Sequence, residues 1–185
     1  MTDKPILFSV PMVRALLEGR KTQTRRVVKP RKDRDMGCEL APSELAGEVN
    51  GGEFRNAYCA PGDRLWVRES FIHEPADYCW EASVSIPSRP ASTVYRADVA
   101  DPRGGRWTPS IHMPRALSRI TLEVIGVRVE RLRDISTADC WAEGIAASPD
   151  VDPWHEYRAL WESINGPGSW DANPWVWCVA FRRLA

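Results

Sequence analysis

The chain has 185 residues, 43% hydrophobic and 27% charged, which is the size and composition of one globular domain with a hydrophobic core. Its formal net charge is zero, which excludes a protein held on nucleic acid by bulk charge alone. The five cysteines are far apart and form no CxxC pair, a pattern typical of free thiols in a reducing compartment that disfavours a zinc site or a disulfide framework.

The charge is distributed unevenly along the chain. Residues 1–35 carry ten lysines and arginines against four acidic residues, a net charge of +6. Residues 134–171 carry one arginine against eight acidic residues, a net charge of −7. Two interpretations stay open: the basic segment binds phosphate at the surface, or the two segments pack together and neutralise each other.

The sequence indicates no membrane partner. No apolar run approaches the ~20 residues that a membrane-spanning helix needs. The stretch ILFSVPMV is short and is interrupted by Pro11, so it lacks the pattern of a secretory signal. We therefore expect a cytoplasmic protein.

The first predicted element is a short helix in SVPMVRALLEGR. Pro11 suits the first helical position, Met12 and Leu16 belong to one apolar face, and Gly19 is a stop signal. The segment GRKTQTRR, residues 19–26, then begins outside the helix.

The three-residue spacing of Lys21 and Thr24 in this segment constrains the path of the backbone between them. On an extended strand, residues three apart point to opposite faces. Lys21 and Thr24 can therefore share a site only if the chain turns between them.

The middle of the chain has weak patterns. Residues 30–60 carry mixed charges, glycines and few apolar residues, which predicts a loop. PGDRLWVRES, residues 61–70, predicts a turn and then a compact strand. Residues 82–117 are rich in Pro, Ser, Gly and Arg, which predicts an extended insertion with one strand near STVYRAD.

SRITLEVIGVRVERL, residues 118–132, gives the strongest strand pattern. Apolar residues alternate from Ile120 to Val124, and the alternation continues one residue out of phase from Ile125. A phase slip beside Gly126 predicts a β-bulge, which bends a strand as a small barrel requires.

Two helices and a last strand complete the pattern. Ser136 and Asp139 form a capping box that predicts a short helix within residues 134–145. Asp152 caps a predicted helix within residues 152–168, and its apolar face carries Trp154, Tyr157, Leu160, Trp161 and Ile164. NPWVWCVAFRRL is apolar on both faces, which predicts a buried central strand. This order favours an α+β fold.

The ordered set EGRKTQTRR, GDRLWVRE, a strand ending in ERLRDIS, AEGI and the terminal WVWCVAFRRL resembles the ASCH family of the PUA-like superfamily. The resemblance runs from about residue 5 to residue 183. It implies one domain over residues 1–185, an α+β fold with a small bent β-barrel, short peripheral helices, and loop insertions at about 30–60 and 72–117. The longer form resembles ASCH proteins often found in phage and prophage genomes.

Some small ASCH proteins are amidohydrolases that remove acyl groups from N4-acylated cytidines. They resemble this chain in the K-T-x-T segment and in an acidic residue of the helix after the long strand. Carried over residue by residue, the resemblance implies Lys21, Thr24 and Glu143 as catalytic residues. The implied partner is a small nucleoside or base, with RNA as a further candidate, and the chemistry needs no cofactor and no metal.

That chemistry is coherent in physical terms. Amide hydrolysis needs a nucleophile, a proton acceptor and a stabilised oxyanion. Lysine accepts the proton of a threonine hydroxyl only if desolvation or neighbouring cations lower its pKa. Arg20, Arg25 and Arg26 are such neighbours of Lys21, whereas a carboxylate at Glu143 orients the lysine, binds the substrate amine or relays a proton, but raises the lysine pKa. The alternative is a solvated lysine and a carboxylate that only balances the basic segment.

Six residues are candidates for substrate binding: Arg25, Arg68, Glu69, His112, Arg115 and Trp175. Arg68 and Glu69 are adjacent in a strand and point to opposite faces, so one of them is the candidate for the barrel cleft. His112 and Arg115 belong to SIHMPRALSR, residues 110–119, a candidate for the barrel mouth. Three tryptophans that flank loops are candidates for stacking on a base: Trp107, Trp170 and Trp175.

Three other functions stay open. A PUA-like module that binds RNA or a modified base would use the basic N-terminal segment and its aromatic neighbours. A ribonuclease would need an acid and a base at a phosphodiester, and His112 is the histidine nominated for that role. A phage structural or host-interaction protein would carry a degenerate site.

Overall fold

The structure, a computed structural model, describes residues 3–74, 76, 78–79, 84–85, 91–99, 106–146 and 151–184. Within these ranges the helices are α1 (Val10–Leu17), α2 (Pro42–Asn50), α3 (Thr137–Ala142) and α4 (Pro153–Asn165). The strands are β1 (Asp3–Leu7), β2 (Gln23–Val27), β3 (Arg31–Lys32), β4 (Glu39–Leu40), β5 (Arg64–Arg68), β6 (Phe71–Glu74), β7 (Tyr78–Cys79), β8 (Val84–Ser85), β9 (Ser92–Tyr95), β10 (Thr121–Arg131) and β11 (Trp175–Arg183). Short 3-10 turns cover Ser110–His112, Arg115–Leu117 and Leu132–Asp134.

A five-stranded sheet in the order β1-β5-β10-β11-β2 organises the fold. β1 runs parallel to β5, and the other neighbouring strands are antiparallel. The pairing of β10 with β11 shifts register between Val124 and Gly126, which confirms the predicted bulge. Ile125 is the residue left over, and it is 57% exposed while Val124 is buried. β11 is central, as its sequence predicts.

The two edge strands, β1 and β2, are consecutive along the chain and are joined by α1. The sheet curls so that Arg26 Nη2 on β2 donates a hydrogen bond to the carbonyl oxygen of Leu7 on β1, at 2.8 Å. No β1–β2 backbone pairing closes the sheet within the described ranges. The predicted α+β class is confirmed, and the strongly bent sheet keeps an open seam.

Two hydrophobic clusters hold the elements together. The larger cluster lies between the sheet, α1 and α2, and includes Val13, Leu45, Leu122 and Val179. The smaller cluster joins α3 and α4 to the sheet, and includes Cys140, Tyr157, Trp161, Trp170 and Val176. The predicted caps of these two helices are confirmed, because Ser136 Oγ accepts from Asp139 N and Asp152 Oδ1 accepts from Trp154 N.

The prediction of a loop over residues 30–60 is wrong. The segment contains the short pair β3–β4 and the nine-residue helix α2. Leu45, Ala46 and Val49 of α2 are buried in the larger cluster, and Asn50 hydrogen-bonds β10 through Val129. Three buried apolar residues are enough to stabilise α2, because they pack against a strand that lies far away in the sequence.

The insertion between β5 and β10 contains the strand predicted near STVYRAD. That strand is β9, which pairs with β6 in an antiparallel ladder from Phe71 to Glu74. Much of the predicted insertion, at residues 75, 77, 80–83, 86–90 and 100–105, lies outside the described residues. None of the helices described is long and apolar enough to cross a membrane.

Candidate active site

A tight turn after α1 places Lys21 at the entrance of β2. Gly19 has a φ of +77°, a conformation that glycine adopts without strain. The backbone N–H of Lys21 then donates a hydrogen bond to the carbonyl oxygen of Ala15, at 3.0 Å. The next residue, Thr22, donates its N–H to Ala142 at the end of α3, at 2.8 Å. The turn therefore docks the lysine against the helix that carries Glu143.

Lys21 and Glu143 form a buried ion pair. Lys21 Nζ donates to Glu143 Oε2 at 2.8 Å and to the Glu143 carbonyl oxygen at 2.8 Å. The two side chains are 0% and 3% exposed. Burial lowers the pKa of Lys21 below its ordinary value against the opposing charge of Glu143, and the charges of Arg26 and Arg25 lower the pKa further.

Gly144 lets Glu143 approach Lys21 closely. Its φ is +88°, and a Cβ atom there would lie 2.9 Å from Ala15 Cβ and 3.0 Å from Lys21 Cβ.

We expect Gly144→Ala to lower the free energy of unfolding by about 2–4 kcal/mol in urea denaturation, because it adds a clash to the backbone strain. Gly62→Ala is the matched control, since Gly62 has the same φ but nothing within 4 Å of the added atom. Equal losses in the two variants would contradict a steric role.

Arg25 connects Glu143 to two further carboxylates. Its side chain is 0% exposed, and its guanidinium lies 3.2 Å from Glu143 Oε1, 2.6 Å from Glu130 Oε1 and 3.0 Å from Asp139 Oδ2. Arg128 also pairs with Glu130 and Asp139. Burial would raise the pKa of both carboxyls, but their hydrogen bonds and ion pairs with the arginines hold the pKa of each below its ordinary value. Charges of the basic and acidic segments thus neutralise each other here.

Thr24 lies beside Arg26, which has no carboxylate within ion-pair distance among the described residues. The threonine is 1% exposed, and its Oγ1 accepts a hydrogen bond from Arg26 Nη1 at 3.1 Å. Arg26 forms no ion pair within the ranges described. Its guanidinium carbon lies 5.3 Å from the centroid of the Phe8 ring, and Lys21 Nζ lies 5.5 Å from the same centroid. Lys21 and Arg26 therefore share the Phe8 ring, and Thr24 is connected to this group through its hydrogen bond with Arg26. No hydrogen bond joins Lys21 directly to Thr24 among the described residues.

A cavity of about 370 Å³ opens at the seam between the two sheet edges. Leu7 and Phe8 come from the β1 side, Val27 comes from β2, and α4 supplies the opposite wall. The charged lining residues are Arg25, Arg26 and Glu143. Lys21 and Thr24 are each hydrogen-bonded to a lining residue, Glu143 and Arg26 respectively.

Arg25 is the predicted substrate-binding residue that lines this cavity. Arg68 instead stacks on Trp66, with 4.6 Å between its guanidinium carbon and the ring centroid. Glu69 is 2% exposed and pairs with Arg119 at 2.9 Å. Neither Arg68 nor Glu69 belongs to the cavity lining, and the side chains contact Trp66 and Arg119 instead.

The remaining three predicted binding residues also lie elsewhere. Arg115 pairs with Asp3 at 3.0 Å, and Trp175 lies under the guanidinium of Arg131 at 4.5 Å. His112 lines a separate cavity of about 530 Å³ together with Arg106, Trp107, Thr108 and Pro109. The 110–119 segment does reach the seam cavity, but through Ser110.

The aromatic residues of α4 in the lining were not indicated as site residues by the sequence. Tyr157 and Trp161 line the cavity although their positions on the apolar face predict a core role. Trp170, a candidate for base stacking, is 1% exposed and packs edge-to-face on Trp154 with 4.9 Å between ring centroids, so stacking on a base is excluded. The hydroxyl of Tyr157 and the indole N–H of Trp161 were the features of the sequence that could have indicated a position at a cavity, because such polar groups usually need a partner when buried.

No group of three metal-ligating side chains lies together among the described residues. No protein-family model matches the sequence, and no curated protein matches it in sequence. Among solved structures, the chain is similar to the ASCH domain from Lactobacillus crispatus JV V101, with 9% sequence identity and a TM-score of 0.43. The match covers 98% of this chain and 79% of that chain.

Proposed function

We propose that the chain is an amidohydrolase that removes acyl groups from N4-acylated cytosine nucleosides, with Thr24 as the nucleophile, Lys21 as the base and Glu143 as its support. The observation that carries the proposal is a fully buried lysine of lowered pKa, hydrogen-bonded to a carboxylate that lines a cavity. The cavity volume of about 370 Å³ is in the range of small-molecule sites.

The lysine and its carboxylate supply the proton acceptor. Desolvation favours the neutral amine of Lys21, and the hydrogen bond to Glu143 Oε2 fixes the direction of Nζ. Because Glu143 lines the cavity while Lys21 is fully buried, the carboxylate also connects the amine with the bound substrate. A base that is poised in this way activates a threonine hydroxyl.

The proposed reaction proceeds in two steps. Thr24 Oγ1 bonds to the acyl carbon as its proton passes to Lys21 Nζ, and Arg26 donates hydrogen bonds that offset the negative charge on oxygen. The bond from the acyl carbon to N4 then breaks as N4 takes the proton from Lys21. A water next attacks the threonine ester and gives a proton to Lys21, which returns it to Thr24 as the carboxylic acid leaves.

The test is hydrolysis of N4-acetylcytidine, followed by the ultraviolet shift to cytidine. We expect turnover by the wild type, a loss of about 10³-fold in Thr24→Val, and a loss within about tenfold in Thr24→Ser, which keeps the hydroxyl. Turnover should rise with pH up to the pKa of Lys21, which lies below 10.5, since only the neutral amine accepts a proton. Absence of wild-type turnover would contradict the proposal, and full activity of Thr24→Val would exclude Thr24 as the nucleophile.

A binding module for RNA or a modified base is the second candidate. Lys29, Arg31, Lys32 and Arg34 are exposed next to β2, whereas Arg25 is occupied by carboxylates. RNA binding that weakens steeply as salt increases, without turnover of any acylated cytidine, would favour this function. The ribonuclease alternative has less support, because no hydrogen bond or ion pair joins His112 to a potential acid or base in the described part of the chain.

A further inference from the structure

The wall that α4 contributes to the seam cavity contains an unused hydrogen-bond donor. Trp161 is 4% exposed and lines the cavity, yet its indole Nε1 has no hydrogen-bond partner among the described residues. Buried N–H groups nearly always have an acceptor, because leaving one unpaired costs free energy. The described part of this wall therefore leaves a donor for which only a group inside the cavity could be the acceptor.

Tyr157 provides a second donor one helical turn before Trp161. It is 3% exposed, lines the same cavity, and its ring centroid lies 6.4 Å from that of Trp161. Burial raises the pKa of Tyr157 well above its ordinary value, so the hydroxyl keeps its proton. No hydrogen bond joins this hydroxyl to another described residue. Residues four apart on a helix share one face, so both donors belong to one wall.

The other residues that line the cavity indicate what kind of ligand carries the acceptor atoms for these two donors. The neighbours of the two donors on α4 are the apolar Leu160 and Ile164, with Met12 and Phe8 also in the lining. Apolar surface suits the faces of a flat ring, and the two donors suit acceptor atoms on its edge. The charged residues Arg26 and Glu143 belong to the same lining, where the proposed function puts the acyl group.

We propose that Tyr157 and Trp161 are substrate-binding residues that donate hydrogen bonds to the acceptor edge of a planar heteroaromatic ring, a pyrimidine with a carbonyl oxygen and an unprotonated ring nitrogen. The inference rests on the proposed function for the identity of the ring. It makes α4 a determinant of specificity, since an analogue without acceptors leaves both donors unpaired. The two residues act on binding of the ring and take no part in breaking the amide bond.

The test measures binding of cytidine, the product, by calorimetry, so that no turnover is needed. Tyr157→Phe removes only the hydroxyl, and we expect it to weaken cytidine binding about tenfold. Trp161→Phe should have a similar effect. Trp154→Phe is the matched control on the same helix, because Trp154 packs on Trp170 and is absent from the lining. Acetanilide, whose ring has no acceptor, should bind the wild type and Tyr157→Phe equally.

Three results would overturn the inference, and a fourth would separate it from the proposed function. Unchanged cytidine affinity in both variants would overturn the inference, as would equal losses for cytidine and acetanilide, which would indicate a packing role. Failure of the wild type to bind cytidine would also overturn it. If the expected binding pattern is found without hydrolysis of any N4-acylated cytidine, the inference stands and the proposed amidohydrolase activity fails.

Discussion

Glu143→Leu is expected to lower the free energy of unfolding by about 3–5 kcal/mol and to abolish measurable turnover. The substitution leaves Lys21 in a buried position without a carboxylate and removes one of the three ion pairs of Arg25. A buried charge without its partner is strongly destabilising because its desolvation is no longer compensated. Urea denaturation and the N4-acetylcytidine assay measure the two effects separately.

The double variant Lys21→Met/Glu143→Leu separates stability from chemistry. Removing both ions takes away the uncompensated lysine charge, so we expect the double variant to be more stable than Glu143→Leu alone. Turnover should stay absent, because the base is gone. Glu123→Leu is the control: Glu123 pairs with the 66%-exposed Arg182, and its loss should cost less than about 1 kcal/mol. Turnover in the double variant would exclude Lys21 as the base.

Arg25→Met is expected to lower the free energy of unfolding by about 3–5 kcal/mol at neutral pH. The variant leaves three carboxylates of the site without the guanidinium that is 0% exposed between them: Glu130, Asp139 and Glu143. Arg128 can compensate only two of these, Glu130 and Asp139, and its side chain is 40% exposed. Arg182→Met removes an exposed pair of similar chemistry and serves as the matched control.

The loss in Arg25→Met should depend on pH with a definite sign. In the wild type, the pKa values of Glu130 and Asp139 are held below their ordinary values of 4.5 and 3.8. Stability from these groups is therefore fully present above the ordinary values and is lost as pH falls through the lowered ones. In Arg25→Met the pKa values of these two carboxyls are lowered less. The difference in the free energy of unfolding between wild type and variant should therefore shrink below about pH 4. A difference that is constant from pH 7 to pH 3 would contradict the ion-pair account.

Short-range patterns explain why several elements could be predicted from the sequence. Pro11 and Gly19 mark the two ends of α1, Ser136 and Asp152 cap α3 and α4, and the phase slip beside Gly126 predicts the bulge in β10. Each of these signals acts within a few residues, so neighbouring letters contain it. The helix α2 escaped prediction because its three buried residues gain their stability from β10, which lies some eighty positions later in the chain.

Sequence patterns alone thus indicate α1, α3, α4, β5, β10 and β11, an α+β class, and a basic and an acidic segment of opposite charge. Long-range packing pairs Lys21 with Glu143, which are 122 positions apart, and places Tyr157 and Trp161 at a cavity and not in a sealed core. Periodicity identifies which face of a helix is buried, but it does not identify what covers that face. Whether a buried ring meets another side chain or a cavity depends on how a curled sheet leaves its edges apart, and that geometry arises from contacts over the whole chain.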